Sequence, residues 1–279
     1  MKRPLFAALV AILGLTLSGC DISGGRTPAR PGSAAPAAIS IAAAADLRYA
    51  LEELVRAFKV DQPDAVVSIS YGSSGSYYAQ LLNGAPFDIF LSADVAYPRE
   101  LARRGLTATD GEFVYAEGRI AVWAATSLPL DVGALGFTVL THDAVKRVAI
   151  ANPEHAPYGR AAQAAMRSVG IFDAVAPKLV YGENVSQTLQ FVQSGAADAG
   201  IVALSLAVAP AVASAGRYWV IPPDLHPRIE QGGTIMRTAA NPQLAYAFRR
   251  FMLGDEARAV LTRYGFSLPA TGAGQARGL

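Results

Sequence analysis

The chain has 279 residues, 52% of them apolar and 16% charged, with 24 lysines and arginines against 22 aspartates and glutamates. That balance excludes a disordered tail or a collagen-like rod and leaves room for a buried core in one large or two modest domains. With no extended basic run beyond residue 38, it also lacks the electrostatic footprint of a nucleic-acid binder.

The first residues read as a processing segment. Met1, Lys2 and Arg3 precede an apolar stretch from Leu5 to Leu17 and then Leu17-Ser18-Gly19-Cys20, the basic, apolar and small-residue order of a secretory signal. About 13 apolar residues are too few for a permanent span of a ~30 Å hydrocarbon core. Residues 1–19 are therefore expected to be a signal peptide, and their removal leaves 22 bases against 22 acids. Cys20 is the sole cysteine, which excludes an intrachain disulfide and a cysteine-based metal site. Leu-Ser-Gly-Cys resembles the bacterial lipoprotein signal, which implies acylation of Cys20 and a membrane anchor. Asp21 resembles the retention signal that holds some lipoproteins at the cytoplasmic membrane. Residues 20–38, rich in Gly, Pro, Ala and Ser without periodicity, read as a flexible tether.

From residue 39 short apolar strands alternate with helical patterns. Residues 39–43 predict a strand, and residues 47–60 place Leu47, Leu51, Leu54, Val55 and Phe58 on one helix face. Residues 65–71 predict a second strand, followed by Gly72-Ser73-Ser74-Gly75-Ser76 and a helix to about Asn83; a strand at 87–91 and a helix at 97–104 repeat the order. Such βαβ alternation predicts a largely parallel sheet. A second region follows, with strands at 119–124, 147–151 and 199–203 and helices at 159–169 and 185–194. An amphipathic helical stretch at 242–264 returns to the first region. The expectation is an α/β protein of two lobes, residues 39–119 with 233–279 and residues 120–232, hinged on two crossover segments near 119 and 230.

Four strand-to-helix junctions carry the chemistry: Ala44-Ala45-Asp46, Gly72-Ser73-Ser74-Gly75, Pro157-Tyr158-Gly159 and Glu183-Asn184-Val185. Helix N-termini present unpaired N–H groups and positive dipole ends, so several converging on one cleft bind an anion without a cationic side chain. Simpler readings stand beside this one: Ser73 and Ser74 as ordinary helix caps, and Tyr158 as a packed ring. His142, His155 and His226 lie too far apart for a metal-ligand spacing, so no metal cation is expected. The serine-rich loop lacks the Gly-Lys-[Ser/Thr] ending of a nucleotide loop. It also misses the Gly-x-Ser-x-Gly of a serine hydrolase, so no catalytic residue is assigned and the chain is not expected to be an enzyme.

Ala42-Ala43-Ala44-Ala45-Asp46-Leu47, Tyr71-Gly72-Ser73-Ser74-Gly75-Ser76, the segment from Gly84 to Asp94, Asn152-Pro153-Glu154-His155-Ala156-Pro157-Tyr158-Gly159, Gly182-Glu183-Asn184-Val185 and Arg263-Tyr264-Gly265-Phe266 together resemble the molybdate-binding proteins of molybdate ABC transporters. The resemblance spans residues 39–268. It implies a type II periplasmic binding fold, two lobes closing on molybdate or tungstate, a membrane permease as partner, no cofactor, a monomer, and an exported location outside the cytoplasmic membrane. Its ligand positions fall on Ala45, Asp46, Ser73, Ser74, Tyr158 and Val185. Another tetrahedral oxyanion, sulfate or phosphate, is the alternative cargo. Two departures stand out, Asp46 where many members have serine and Ala203 where some have tyrosine. Because a carboxylate facing a dianion is repulsive, Asp46 is expected to turn away and cap the helix from Leu47, leaving only its N–H for the ligand. The Tyr158 phenol is expected to replace the hydroxyl missing at Ala203.

Overall fold

In the computed structural model, which describes residues 37–269, two five-stranded sheets carry the chain. The expected signal peptide, Cys20 and all but the end of the tether lie outside the described residues. In chain order the strands are β1 (Ala38–Ala44), β2 (Val66–Gly72), β3 (Ile89–Ser92), β4 (Phe113–Gly118), β5 (Ile120–Ala125), β6 (Val148–Ala151), β7 (Leu179–Gly182), β8 (Ala199–Ala203), β9 (Gly216–Val220) and β10 (Ile229–Ile235). The first sheet is ordered β2-β1-β3-β10-β4 and the second β7-β6-β8-β5-β9. In each, the strands feeding the functional junctions are parallel: β1 pairs with β2 and β3, and β6 with β7 and β8.

Small residues let both faces of β1 be covered. Ala42, Ala43 and Ala44 are buried: Ala43 and Ala44 share a core with Leu51, Leu54, Val55 and Phe58 of helix Arg48–Asp61, and Ala42 packs on the other side with Tyr77 and Leu81. Each such side chain contributes about 1.5–3 kcal/mol of burial. Phe58 meets Phe248 edge-on at 5.1 Å, which docks the C-terminal helix Pro242–Met252 on the first lobe. The expected single helical stretch at 242–264 is two helices, Pro242–Met252 and Asp255–Arg263, interrupted at Leu253-Gly254. In the second lobe β5 lies between β8 and β9 and fully buries Trp123.

The chain passes between the sheets twice, at Arg119 and between Val220 and Ile229. The second passage falls earlier than the expected boundary at 232/233, because β10 pairs antiparallel with β3 and β4 along its whole length. Gly232 and Gly233 lie so close to Val95 and to Phe113 and Leu91 that a Cβ on either would collide. This is why the segment shows no apolar alternation and was not visible as a strand. No helix among the described residues is long and apolar enough to cross a membrane. The parallel strands of both sheets end toward the crevice between the lobes, the usual place for a ligand in open α/β sheets.

Candidate functional site

Each of the four junctions ends a strand and begins a helix at the crevice. Ala45 opens the 3-10 turn Ala45–Leu47 after β1, and Ser74 opens helix Ser74–Leu82 after β2. Tyr158 is second in helix Pro157–Ser168, and Val185 is first in helix Val185–Gln193. The N–H groups at such positions have no acceptor within their own helix. They surround a small cavity of about 10 Å³. All six expected residues, Ala45, Asp46, Ser73, Ser74, Tyr158 and Val185, line it together with Gly72, Ala93 and Asn184 among others. The lining holds no lysine, arginine or histidine, and its one acid is Asp46.

Local hydrogen bonds decide which groups are left to face the cavity. Asn184 caps its helix by accepting from the N–H groups of Ser186 and Gln187, both at 3.0 Å, and so leaves that of Val185. Ser74 Oγ accepts from the Ala93 N–H at 2.9 Å, which leaves its own hydroxyl proton to donate. Ser73 behaves as a cap: its Oγ accepts from the Ser76 N–H at 3.3 Å and donates to Ser76 Oγ at 2.8 Å.

Asp46 departs from expectation. Its side chain makes no cap hydrogen bond at the start of either the 3-10 turn or helix Arg48–Asp61. The turn begins at Ala45, so Asp46 lies inside it rather than ahead of it and cannot reach back as a cap. The carboxyl group is instead 1% exposed, with Oδ2 accepting from Gln231 Nε2 at 2.6 Å and from the Tyr158 hydroxyl at 3.0 Å. Gln231 Nε2 is also 3.0 Å from the Tyr158 oxygen, and Gln231 Oε1 accepts from the Tyr115 hydroxyl at 2.8 Å. The Tyr158 proton is thereby committed to Asp46, so the phenol does not stand in for a hydroxyl at Ala203; the group Tyr158 offers the cavity is its N–H. Burial pushes the Asp46 carboxyl up to about 6, against the two side-chain hydrogen bonds that pull it down. Asp46 Oδ1 is buried with no hydrogen-bond partner.

The lobes meet around this cavity. The Gly75 N–H donates to the His155 carbonyl at 2.9 Å, and Ser76 Oγ donates to Glu183 Oε1 at 3.0 Å. Arg160 Nη2 donates to Asp94 Oδ2 at 2.5 Å, with its guanidinium 5.9 Å from the Tyr97 ring centre. His155 Nε2 lies 3.0 Å from the Glu183 carbonyl, which ties two junctions of the second lobe together. No local sequence pattern points to Gln231, Tyr115 or the Arg160–Asp94 pair. Gln231 lies in strand β10, which shows no apolar alternation, and Arg160 and Asp94 are distant in sequence and come from different lobes. Among the described residues no group of three or more His, Cys, Asp or Glu is placed to hold a metal ion.

A family model described as bacterial extracellular solute-binding protein matches residues 39–267. The molybdate-binding protein ModA of Azotobacter vinelandii is 34% identical over 261 residues, 93% of this chain and 97% of that protein. A putative ABC transporter substrate-binding lipoprotein of Bacillus subtilis, YvgL, is 27% identical over 94% of this chain and 96% of its own. The solved periplasmic molybdate-binding protein of Azotobacter vinelandii superposes with a TM-score of 0.76 at 32% identity, covering 83% of this chain and 99% of that one.

Proposed function

Because the chain belongs to the bacterial extracellular solute-binding proteins, and among them to the molybdate-binding proteins, we propose that it captures molybdate between its two lobes and hands it to the membrane permease of an ABC importer. The observation that carries this reading is the convergence of four helix N-termini, two from each lobe, on one small cavity without a cationic side chain. A tetrahedral dianion offers an acceptor to each lobe at once, and N–H donors around it form charge-assisted hydrogen bonds without burying a counter-charge. Each helix start adds roughly 0.3–1 kcal/mol of dipole attraction.

Capture then follows from closure. With the lobes apart each half-site holds two of the four junctions; an anion bridging both favours the closed arrangement, and a ligand shifts that equilibrium only by its preference for it. The closed lobe surfaces are what a permease would recognise. Tungstate, of the same charge and shape, is taken as a second cargo. The proposed role is binding, in keeping with relatives that are binding proteins of transporters. Cys20 would be the lipid attachment that keeps a monomeric binder beside its permease, at the outer face of the cytoplasmic membrane.

Calorimetric titration with molybdate, tungstate, sulfate and phosphate at one pH and salt concentration tests the reading. Tight one-to-one binding of molybdate and tungstate, with sulfate and phosphate far weaker, is expected. Preference for sulfate or phosphate would retain the fold and overturn the ligand.

A further inference from the structure

A carboxyl group has no ordinary place in a cavity built for a dianion. Asp46 lines the cavity, is 1% exposed, and directs both of its donors, Tyr158 and Gln231, to the single oxygen Oδ2. Oδ1 is left buried and without a partner. The groups packed around the carboxyl are all uncharged. Helix Pro157–Ser168 supplies Tyr158, β10 supplies Gln231, and β4 supplies Tyr115 behind it. Ser205 donates to the Asp46 carbonyl at 2.8 Å, and the rest of the cavity lining, Ser73, Ser74 and Asn184 among it, is uncharged. Burial and the nearby carboxyl hold both tyrosines well above their ordinary range, so they stay neutral. Arg48, two residues along, turns its guanidinium over the Tyr71 ring at 5.2 Å. An ionised Asp46 beside a bound dianion would thus be a like charge in a low-dielectric pocket with no cation to offset it.

Resting on the molybdate reading above, we propose that Asp46 enters the complex as the neutral acid, its proton on Oδ1, so that the site takes up one proton with each oxyanion and uses that O–H as a donor to it. The geometry assigns the proton to Oδ1 because Oδ2 is already saturated by two donors. Asp46 is then a specificity-determining residue: it converts the position from a repulsive acid into a hydrogen-bond donor, and it couples capture to external pH.

The free carboxyl titrates at about 6, so roughly half the empty sites carry the proton at pH 6 and about one in a hundred at pH 8. Apparent affinity scales with that competent fraction and falls about fifty-fold between those values. In Asp46→Asn the amide N–H₂ takes the place of the Oδ1 proton while its oxygen still accepts from Tyr158 and Gln231.

The test is calorimetric titration of the protein with molybdate from pH 6 to pH 8, in two buffers of different ionisation enthalpy, for the wild type and Asp46→Asn. The expected wild-type result is about one proton taken up per molybdate at pH 8 and the roughly fifty-fold weakening across the range. The variant is expected to bind with no proton uptake, with the same affinity at both ends, and more tightly than the wild type at pH 8. Tight wild-type binding that is independent of pH and takes up no proton would overturn the proposal while leaving molybdate as the cargo. An equal proton uptake by Asp46→Asn would overturn it too, placing the proton on the ligand or elsewhere. Circular dichroism checks that the variant folds; if it does not, the wild-type proton count alone decides. Absence of molybdate binding by both proteins at every pH would remove the ligand reading and this proposal together.

Discussion

Replacing Gly75 by alanine would separate ligand capture from folding. Gly75 is second in helix Ser74–Leu82, and its N–H bridges to the His155 carbonyl of the other lobe at 2.9 Å. A Cβ built there stands 2.6 Å from that carbonyl oxygen and 2.9 Å from His155 Cα, both backbone atoms that cannot rotate away. Restoring ordinary contact at about 3.4 Å requires the lobes to part by roughly 0.8 Å. That opening takes the interlobe hydrogen bond out of range, a loss of about 0.5–1.5 kcal/mol, and stretches charge-assisted bonds to the anion worth about 1.5–3 kcal/mol each. A net loss of about 2–3 kcal/mol corresponds to roughly 30- to 150-fold weaker molybdate binding. Within its own helix the change is favourable, since alanine is about 1 kcal/mol better than glycine at helical positions. Titration calorimetry should therefore show the affinity loss while ligand-free thermal unfolding stays at or above the wild-type midpoint. Wild-type affinity in the variant would refute the argument that the anion is held by lobes at this spacing, and a lowered unfolding midpoint would show that the contact supports folding rather than closure.

Three other outcomes follow from the same geometry. The fold favours protonated Asp46, whose pKa of about 6 lies above the ordinary 3.8; its contribution is full below about pH 4 and is lost as pH rises through 6, by about 3 kcal/mol in all. Ligand-free urea unfolding should show Asp46→Asn gaining on the wild type by about that amount between pH 4 and pH 7, and a constant difference would contradict it. Tyr158→Phe removes one of the two donors to Oδ2 and should destabilise the ligand-free protein by about 1–3 kcal/mol, more at pH 8 than at pH 5; equal losses at the two pH values would mean that the phenol does not support the charged carboxyl. Arg160→Met and Asp94→Asn each break the half-exposed pair across the crevice and should speed molybdate release a few-fold. In stopped-flow displacement the double variant should be no faster than either single one, and additive effects would show that the two do not act as a pair.

The α/β alternation was legible because strands 39–43 and 199–203 and helices 47–60 and 185–194 obey simple apolar periods. The four junctions were legible for the same reason, since serine, asparagine and Ala-Asp placed just before a helical pattern mark its start. β10 was not, because Gly232 and Gly233 replace the alternating side chains with room for Val95, Phe113 and Leu91. With β10 went Gln231, and without Gln231 the sequence offered Asp46 no partner but the helix ahead of it. The repulsion argument was sound for an ionised carboxylate; what it lacked was a buried polar network able to hold the carboxyl at the cavity, where burial raises its pKa. Arg160 and Asp94 lie 66 residues apart and meet across the crevice, a pairing that no local pattern encodes.

The measurement that tests the account most directly is a crystal structure of the protein grown with molybdate, with diffraction recorded at the molybdenum absorption edge. The account predicts one anomalous peak between the lobes, with oxygens within hydrogen-bond distance of the N–H groups of Ala45, Ser74, Tyr158 and Val185 and of the Ser74 hydroxyl, and with one oxygen against Asp46 Oδ1. A peak bound by one lobe alone, or placed away from these helix starts, would contradict it.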